Sequence, residues 1–261
     1  PSPSAGTKIR WGLRGALLAQ VFIAAMVVIA DVDQRWGLDR TIDLAPPQPT
    51  GPVTPGDQVR RHEPSRMVPR FADPGGPPGI SLPDELPVRL TFTVEEAGEY
   101  GPVLLLHGPL VAGDAARFEA FIAGFPEVPG QVALHSPGGL VDEALRIGRT
   151  LRAREITTMI LPGTACMSAC PYILAGGSER RVSLRGLVGL HQHYYEAPGY
   201  MPVLFAVEDI QHNQARTMEY LIEMGIDPGI MRFGLSTPPD DIYILVEDEL
   251  VESRLASSIV S

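Results

Sequence analysis

Residues 161–177, LPGTACMSACPYILAGG, restrict the fold more than any other stretch, because Pro171 lies in a run that otherwise reads as helical. A proline is tolerated in the first turn of a helix, where its missing N–H has no partner to lose, and breaks the helix further in. A helix through Ala169, Tyr172, Ile173 and Ala175 must therefore begin near Met167 or Ser168 and end at Gly176-Gly177. Upstream, Glu155–Leu161 (EITTMIL) is rich in β-branched residues and reads as a buried strand that stops at Pro162-Gly163. Strand, small-residue turn and helix in this order put the Ser168 hydroxyl at a helix N-terminus, where free N–H groups and the helix dipole favour a developing negative charge.

Two other stretches are strand ends of the same kind. In LHSPGGL (134–140) a strand runs into a tight Pro-Gly-Gly turn and then a helix. Glycines at such a turn let backbone N–H groups approach a reacting oxygen with no side chain in the way. In GLHQH (189–193) a short strand, Leu187–Leu190, ends at His191. Strands are also expected at Arg89–Glu95, Val103–His107 and Gln131–His135. Helices are expected at Asp114–Gly124 (Ala115, Phe118, Phe121 and Ile122 on one face) and Leu140–Arg154. Strand–helix units repeated in this way predict an α/β fold with a largely parallel core.

The three stretches, taken in order, resemble the ClpP/crotonase superfamily, most closely the Clp protease proteolytic subunit and its periplasmic serine-protease-like relatives. The likeness runs from about Pro102 to Ile259 and rests on Ser136-Pro137-Gly138-Gly139, on Ser168 within CMSAC, and on His191-Gln192. It implies a spiral of ββα units and a serine peptidase working through an acyl-enzyme. Ser168 is then the nucleophile, His191 the base, and Gly138, Gly139 and Ala169 the oxyanion hole, with no cofactor. The loop between serine and histidine is shorter than the family's. The family keeps its third triad residue in the region of STPPDD (236–241), so Asp240 or Asp241 would orient His191; we assign Asp241. The long helix expected at 202–225 corresponds to the one through which family members associate, so a homo-oligomer or a membrane-complex partner is expected there.

Competing chemistries are limited by residue type. The only lysine is Lys8, ahead of the apolar run, so a Ser-Lys dyad is excluded from the folded domain. A metal shared by His191 and His193 is not expected, His193 being read as a surface or structural residue. A net charge of −10 argues against a nucleic-acid partner. Two readings compete with the peptidase. One is a catalytically inactive ClpP-like scaffold or accessory subunit of a membrane complex; the other is a crotonase-type acyl-CoA enzyme, which an export signal opposes. Cys166 and Cys170 flank the serine, either as a disulfide, which export would permit, or as two small buried hydrophobes.

Ahead of this domain (87–261) lie two segments of different character. Within 1–44 the uncharged apolar run 15–30, bounded by Arg14 and Asp31, is extended by Trp11–Leu13 to 11–30 and approaches the roughly 20 residues that span a bilayer. Lys8, Arg10 and Arg14 on its N-terminal side place that end in the cytoplasm and the domain in the periplasm. The run is read as an inner-membrane anchor, with a signal peptide cleaved after Ala30 as the alternative. Residues 45–86 hold 11 of the 26 prolines and are expected to form an extended linker unable to hold helix or sheet.

Overall fold

The computed structural model describes residues 14–27, 53–62, 64, 76–82, 85–124, 129–193 and 203–260. It divides into two units, Pro1–Pro47 and Gln48–Ser261. In the first, residues 14–27 form helix α1 with every side chain exposed. Among the described residues no helix is long and apolar enough to cross a membrane. The flanks of the apolar run, 11–13 and 28–30, and the loop 194–201 lie outside the described residues.

The second unit is mixed α/β, built on a six-stranded sheet. Its central strands, β3 (Pro102–His107), β4 (Gln131–His135), β5 (Thr157–Ile160) and β7 (Arg180–Ser183), run parallel, and β10 (Ser258–Val260) joins them in parallel at one edge. Strand β2 (Thr91–Glu96) closes the other edge antiparallel to β3. Side chains alternate across β3. Leu104 and Leu106 enter the main core beside α2 (Asp114–Gly124), α3 (Val141–Ala153) and α4 (Cys170–Ala175). Val103 and Leu105 turn to the opposite face and pack with Ile80, Ala97 and Met159. Burial on both faces explains why VLLLH is a continuous apolar run rather than an alternating one.

A four-stranded sheet, in the order β1-β9-β8-β6, carries the rest. Strand β6 (Ala165–Met167) is parallel to β8 (Leu187–Leu190), which is antiparallel to β9 (Asp241–Ile244). Strand β1 (Val59–Arg61) pairs antiparallel with β9, in the register Val59↔Tyr243 to Arg61↔Asp241. The remaining helices are α5 (Val203–Glu223), α6 (Met231–Leu235) and α7 (Glu247–Glu252).

The linker expectation needs correcting. Residues 59–61, inside the proline-rich stretch, are a strand: β9 offers them an open edge, and the register falls between prolines, which therefore forfeit no ladder bond. Arg60 is 2 % exposed and its guanidinium is held by Asp57, while Ile80 is also buried. The strand expected at 155–161 begins at Thr157, since Glu155 has φ 55°, a left-handed conformation that no strand accommodates. The small-residue turn before Ser168 contains a strand of its own, β6. Three residues give no readable period, which is why composition concealed it.

Candidate active site

Pairing between β4 and β6 brings the first two site stretches together. Ser136, just past β4, donates its N–H to the Ala165 carbonyl at 2.9 Å and accepts from Met167 N at 2.9 Å. The Pro-Gly-Gly turn therefore lies against the serine turn. Gly138 has φ 96°, and a Cβ there would stand 2.5 Å from Ser168 Cβ and 2.6 Å from the Met167 carbonyl, so no other residue fits.

Ser168 occupies the two-residue turn between β6 and α4 with φ 59°. For a non-glycine residue that conformation is strained and persists only where its surroundings enforce it. Here its N–H is fixed to the Gly189 carbonyl at 2.9 Å, at the end of β8. Pro171 stands in the first turn of α4, but the helix begins at Cys170 rather than near Met167 or Ser168: at positive φ Ser168 cannot be part of the helix and precedes its cap, Ala169. Cys166 and Cys170 are disulfide-bonded across this turn, Cα to Cα 5.1 Å, and both are fully buried.

His191 follows β8 directly. Its Nε2 is 2.7 Å from Ser168 Oγ and its Nδ1 is 2.8 Å from the carbonyl oxygen of Pro239. A carbonyl only accepts, so Nδ1 carries the proton and the lone pair of Nε2 faces the serine hydroxyl. The imidazole is thus in the tautomer that a general base needs. Burial lowers the His191 pKa, partly offset by the Pro239 carbonyl and the negative charge of Asp240, both of which favour the protonated ring. The ring stays neutral at pH 7 and remains available as a base.

The third position differs from the expectation. The group on Nδ1 is a peptide carbonyl, not a carboxylate, and Asp241 does not orient His191. As the first residue of β9 its side chain turns towards Arg61 of β1 (3.8 Å), because successive strand residues face opposite ways. Asp240 acts on the ring only through its charge. The oxyanion assignment also needs refining. The Gly138 N–H is taken by Ser136 Oγ at 3.1 Å, so Gly138 contributes closeness rather than a donor. No hydrogen bond among the described residues takes the N–H of Gly139 or Ala169. These are the two amides left to meet an oxyanion.

His193 hydrogen-bonds the Tyr172 hydroxyl at 2.9 Å and does not touch Ser168. Gln192 pins the chain after His191 to the end of α6, through its N–H to Thr237 O (2.9 Å) and its side chain to Leu235 O (2.8 Å). Beside these residues a cleft of about 290 Å³ is lined by Val141, Leu145 and Ile210 together with Gln192 and the ion-paired Asp142 and Arg216. Of these, Val141 lies two residues past Gly139, and Gln192 is the residue after the base. A larger cavity, about 640 Å³, opens at Val182–Leu187 and Ile244–Asp248 and contains none of the dyad residues. Among the described residues no group of three His, Cys, Asp or Glu side chains is placed to hold a metal.

Two participants escaped the sequence reading. Pro239 acts through its carbonyl, which every residue has, so no side-chain type marks it. His62, next to β1, has its ring 4.7 Å from that of His191, and its place in a proline-rich stretch gave no sign of a contact some 130 positions away. No protein-family model matches the chain, and no curated protein sequence is significantly similar to it.

Proposed function

We propose that the chain is a serine peptidase of the ClpP-like kind, acting through a Ser168–His191 dyad whose imidazole is oriented by a backbone carbonyl. The observation that carries this reading is the 2.7 Å contact from Ser168 Oγ to the unprotonated nitrogen of His191, on a serine held at positive φ. In the first step Nε2 takes the hydroxyl proton as Oγ bonds to the carbonyl carbon of a peptide. The resulting oxyanion meets the N–H groups of Gly139 and Ala169. Collapse breaks the C–N bond, and the amine leaves with the proton from His191. Water, deprotonated by the same nitrogen, then releases the acyl group and restores the serine. The cleft at Val141, Leu145 and Ile210, which also carries the Asp142–Arg216 ion pair and polar groups, would receive part of the substrate beside the dyad.

In the same reading the strand–helix order is the ClpP/crotonase spiral. The apolar run 11–30 anchors the chain in the inner membrane, with Lys8, Arg10 and Arg14 on the cytoplasmic side and the folded domain in the periplasm. The test is covalent labelling with a fluorophosphonate, which should modify wild type at Ser168 and fail on Ser168→Ala. A folded wild-type protein that resists labelling overturns the peptidase and leaves the inactive scaffold.

A further inference from the structure

The residues ahead of the parallel sheet supply a wall of the dyad. Strand β1 lies along β9 over three register pairs, and the bonding continues at both ends. Ile244 N donates to Gln58 O (2.9 Å), and His62 N donates to Asp240 O (2.8 Å). The Gln58 side chain adds a bond to Glu249 Oε2 at 2.8 Å. This seating carries the His62 ring edge-on to the His191 ring, with centroids 4.7 Å apart and planes at 63°. It also fixes the peptide unit next to Pro239, whose carbonyl holds Nδ1 of the base.

We propose that His62 is a positioning residue of the active site: its ring packs against the His191 imidazole, excludes water from it and steadies the 238–240 turn that sets its tautomer. The proposal rests on the dyad reading and goes beyond it, since it makes a segment outside the ββα units part of the machinery. The groups facing His191 are few. Ser168 comes from the β6–α4 turn, the Pro239 carbonyl and the Asp240 carboxylate from the turn before β9, His193 from the same strand end, and His62 from β1. Asp241 and Arg61 are engaged with each other. Burial and proximity to His191 hold His62 down at about 4, so at neutral pH it presents an uncharged ring. Its contribution at that pH is therefore cover rather than charge.

The cover makes a definite demand on side-chain type. A ring without titratable nitrogens should serve as well as histidine, whereas a short side chain should admit water and let the His191 pKa rise towards 6.5. The experiment is an NMR titration of His191 in the full chain, paired with the pH profile of fluorophosphonate labelling, for wild type, His62→Phe, His62→Ala and His62→Gln. His62→Phe should titrate like wild type. His62→Ala and His62→Gln should titrate higher, and labelling well below the midpoint should fall by about tenfold for each pH unit that the midpoint rises. An unchanged His191 titration in His62→Ala overturns the proposal. So does His62→Phe behaving like His62→Ala, since the ring nitrogens would then matter and not the cover. If His62→Ala does not fold, the His62→Phe and His62→Gln pair decides by the same comparison. A wild type that resists labelling would remove the peptidase reading, yet the titration still tests what His62 does to His191.

Discussion

Two histidine pairs lie in this domain, and they are wired in opposite senses. His191 and His62 meet at the end of β8, while His135 and His107 meet at the ends of β4 and β3, with centroids 5.2 Å apart. In the first pair a backbone acceptor, Pro239 O, forces the proton onto Nδ1 of His191 and leaves Nε2 free to take a proton from Ser168. In the second a backbone donor, Ala165 N, points at Nδ1 of His135 at 3.0 Å, so the proton must sit on Nε2. His135 thereby helps hold β6, the strand that leads to the serine, and takes no part in proton transfer. Residue type is the same in both pairs, and only His62 of the four rings is partly exposed. What separates a base from a structural bond is which backbone group the fold brings to one ring nitrogen.

That contrast can be broken by experiment. On the proposed peptidase reading the largest effect expected is His191→Gln, which should lower kcat/KM on a peptide substrate by at least about 10³-fold while thermal unfolding stays close to wild type. His135→Leu should do the reverse. Removing the acceptor strands the buried Ala165 N–H and should cost about 1–3 kcal/mol in chemical denaturation. If His135→Leu is as stable as wild type, the structural assignment of that pair fails.

The pairs also differ in their response to acid. Burial, aided by proximity to His107, lowers the pKa of His135 to about 3. The unfolded chain, near 6.5, then binds a proton that the folded chain refuses, so this contribution to stability is complete above pH 6.5 and is lost as pH falls towards 3. His62, held at about 4, acts in the same sense between 6.5 and 4. Denaturation midpoints should drop steadily below pH 6.5, and less steeply in His135→Gln. For His191 the lowered pKa means that the neutral base persists below pH 6.5, so the ascending limb of labelling against pH should have its midpoint under that value. A midpoint at or above 6.5 would contradict the burial argument.

The smallest effect separates the two adjacent acids. Asp240→Asn removes a charge that favours the protonated ring, so it should move the labelling midpoint slightly further down and slow turnover a few-fold. Asp241→Asn should leave the chemistry unchanged, since its partner is the exposed Arg61 and such pairs contribute about 0–1 kcal/mol. A loss of activity on Asp241→Asn comparable with that of His191→Gln would restore a carboxylate triad.

Much of the arrangement was legible along the chain. Pro171 placed the first turn of α4, though the helix starts two to three residues later than expected, and Val103–His107 was legible as a strand. The helices Asp114–Gly124 and Val141–Ala153 followed from spacing, with the buried faces at Phe118 and Ile122 and at Leu145 and Leu151. Apart from β8, expected at Leu187–Leu190, most of the shortest strands were not legible. Strands β1, β6, β7, β9 and β10 are three or four residues each, too short for a period to stand out, and they exist because a neighbouring edge was waiting for them.

By itself, the order of residues determined the α/β class, the strand–turn–helix that presents Ser168 and the glycines that let the turn at 138 press against it, while the pairing of His191 with the serine came from the resemblance. The first three depend on side-chain size, branching or ring chemistry, which are written at one position each. Only the folded chain decided the group that orients the base, the amides left open at Gly139 and Ala169, and the contact of His62. Peptide carbonyls and N–H groups are the same at every residue, so which of them acts depends on where the backbone runs rather than on what it carries.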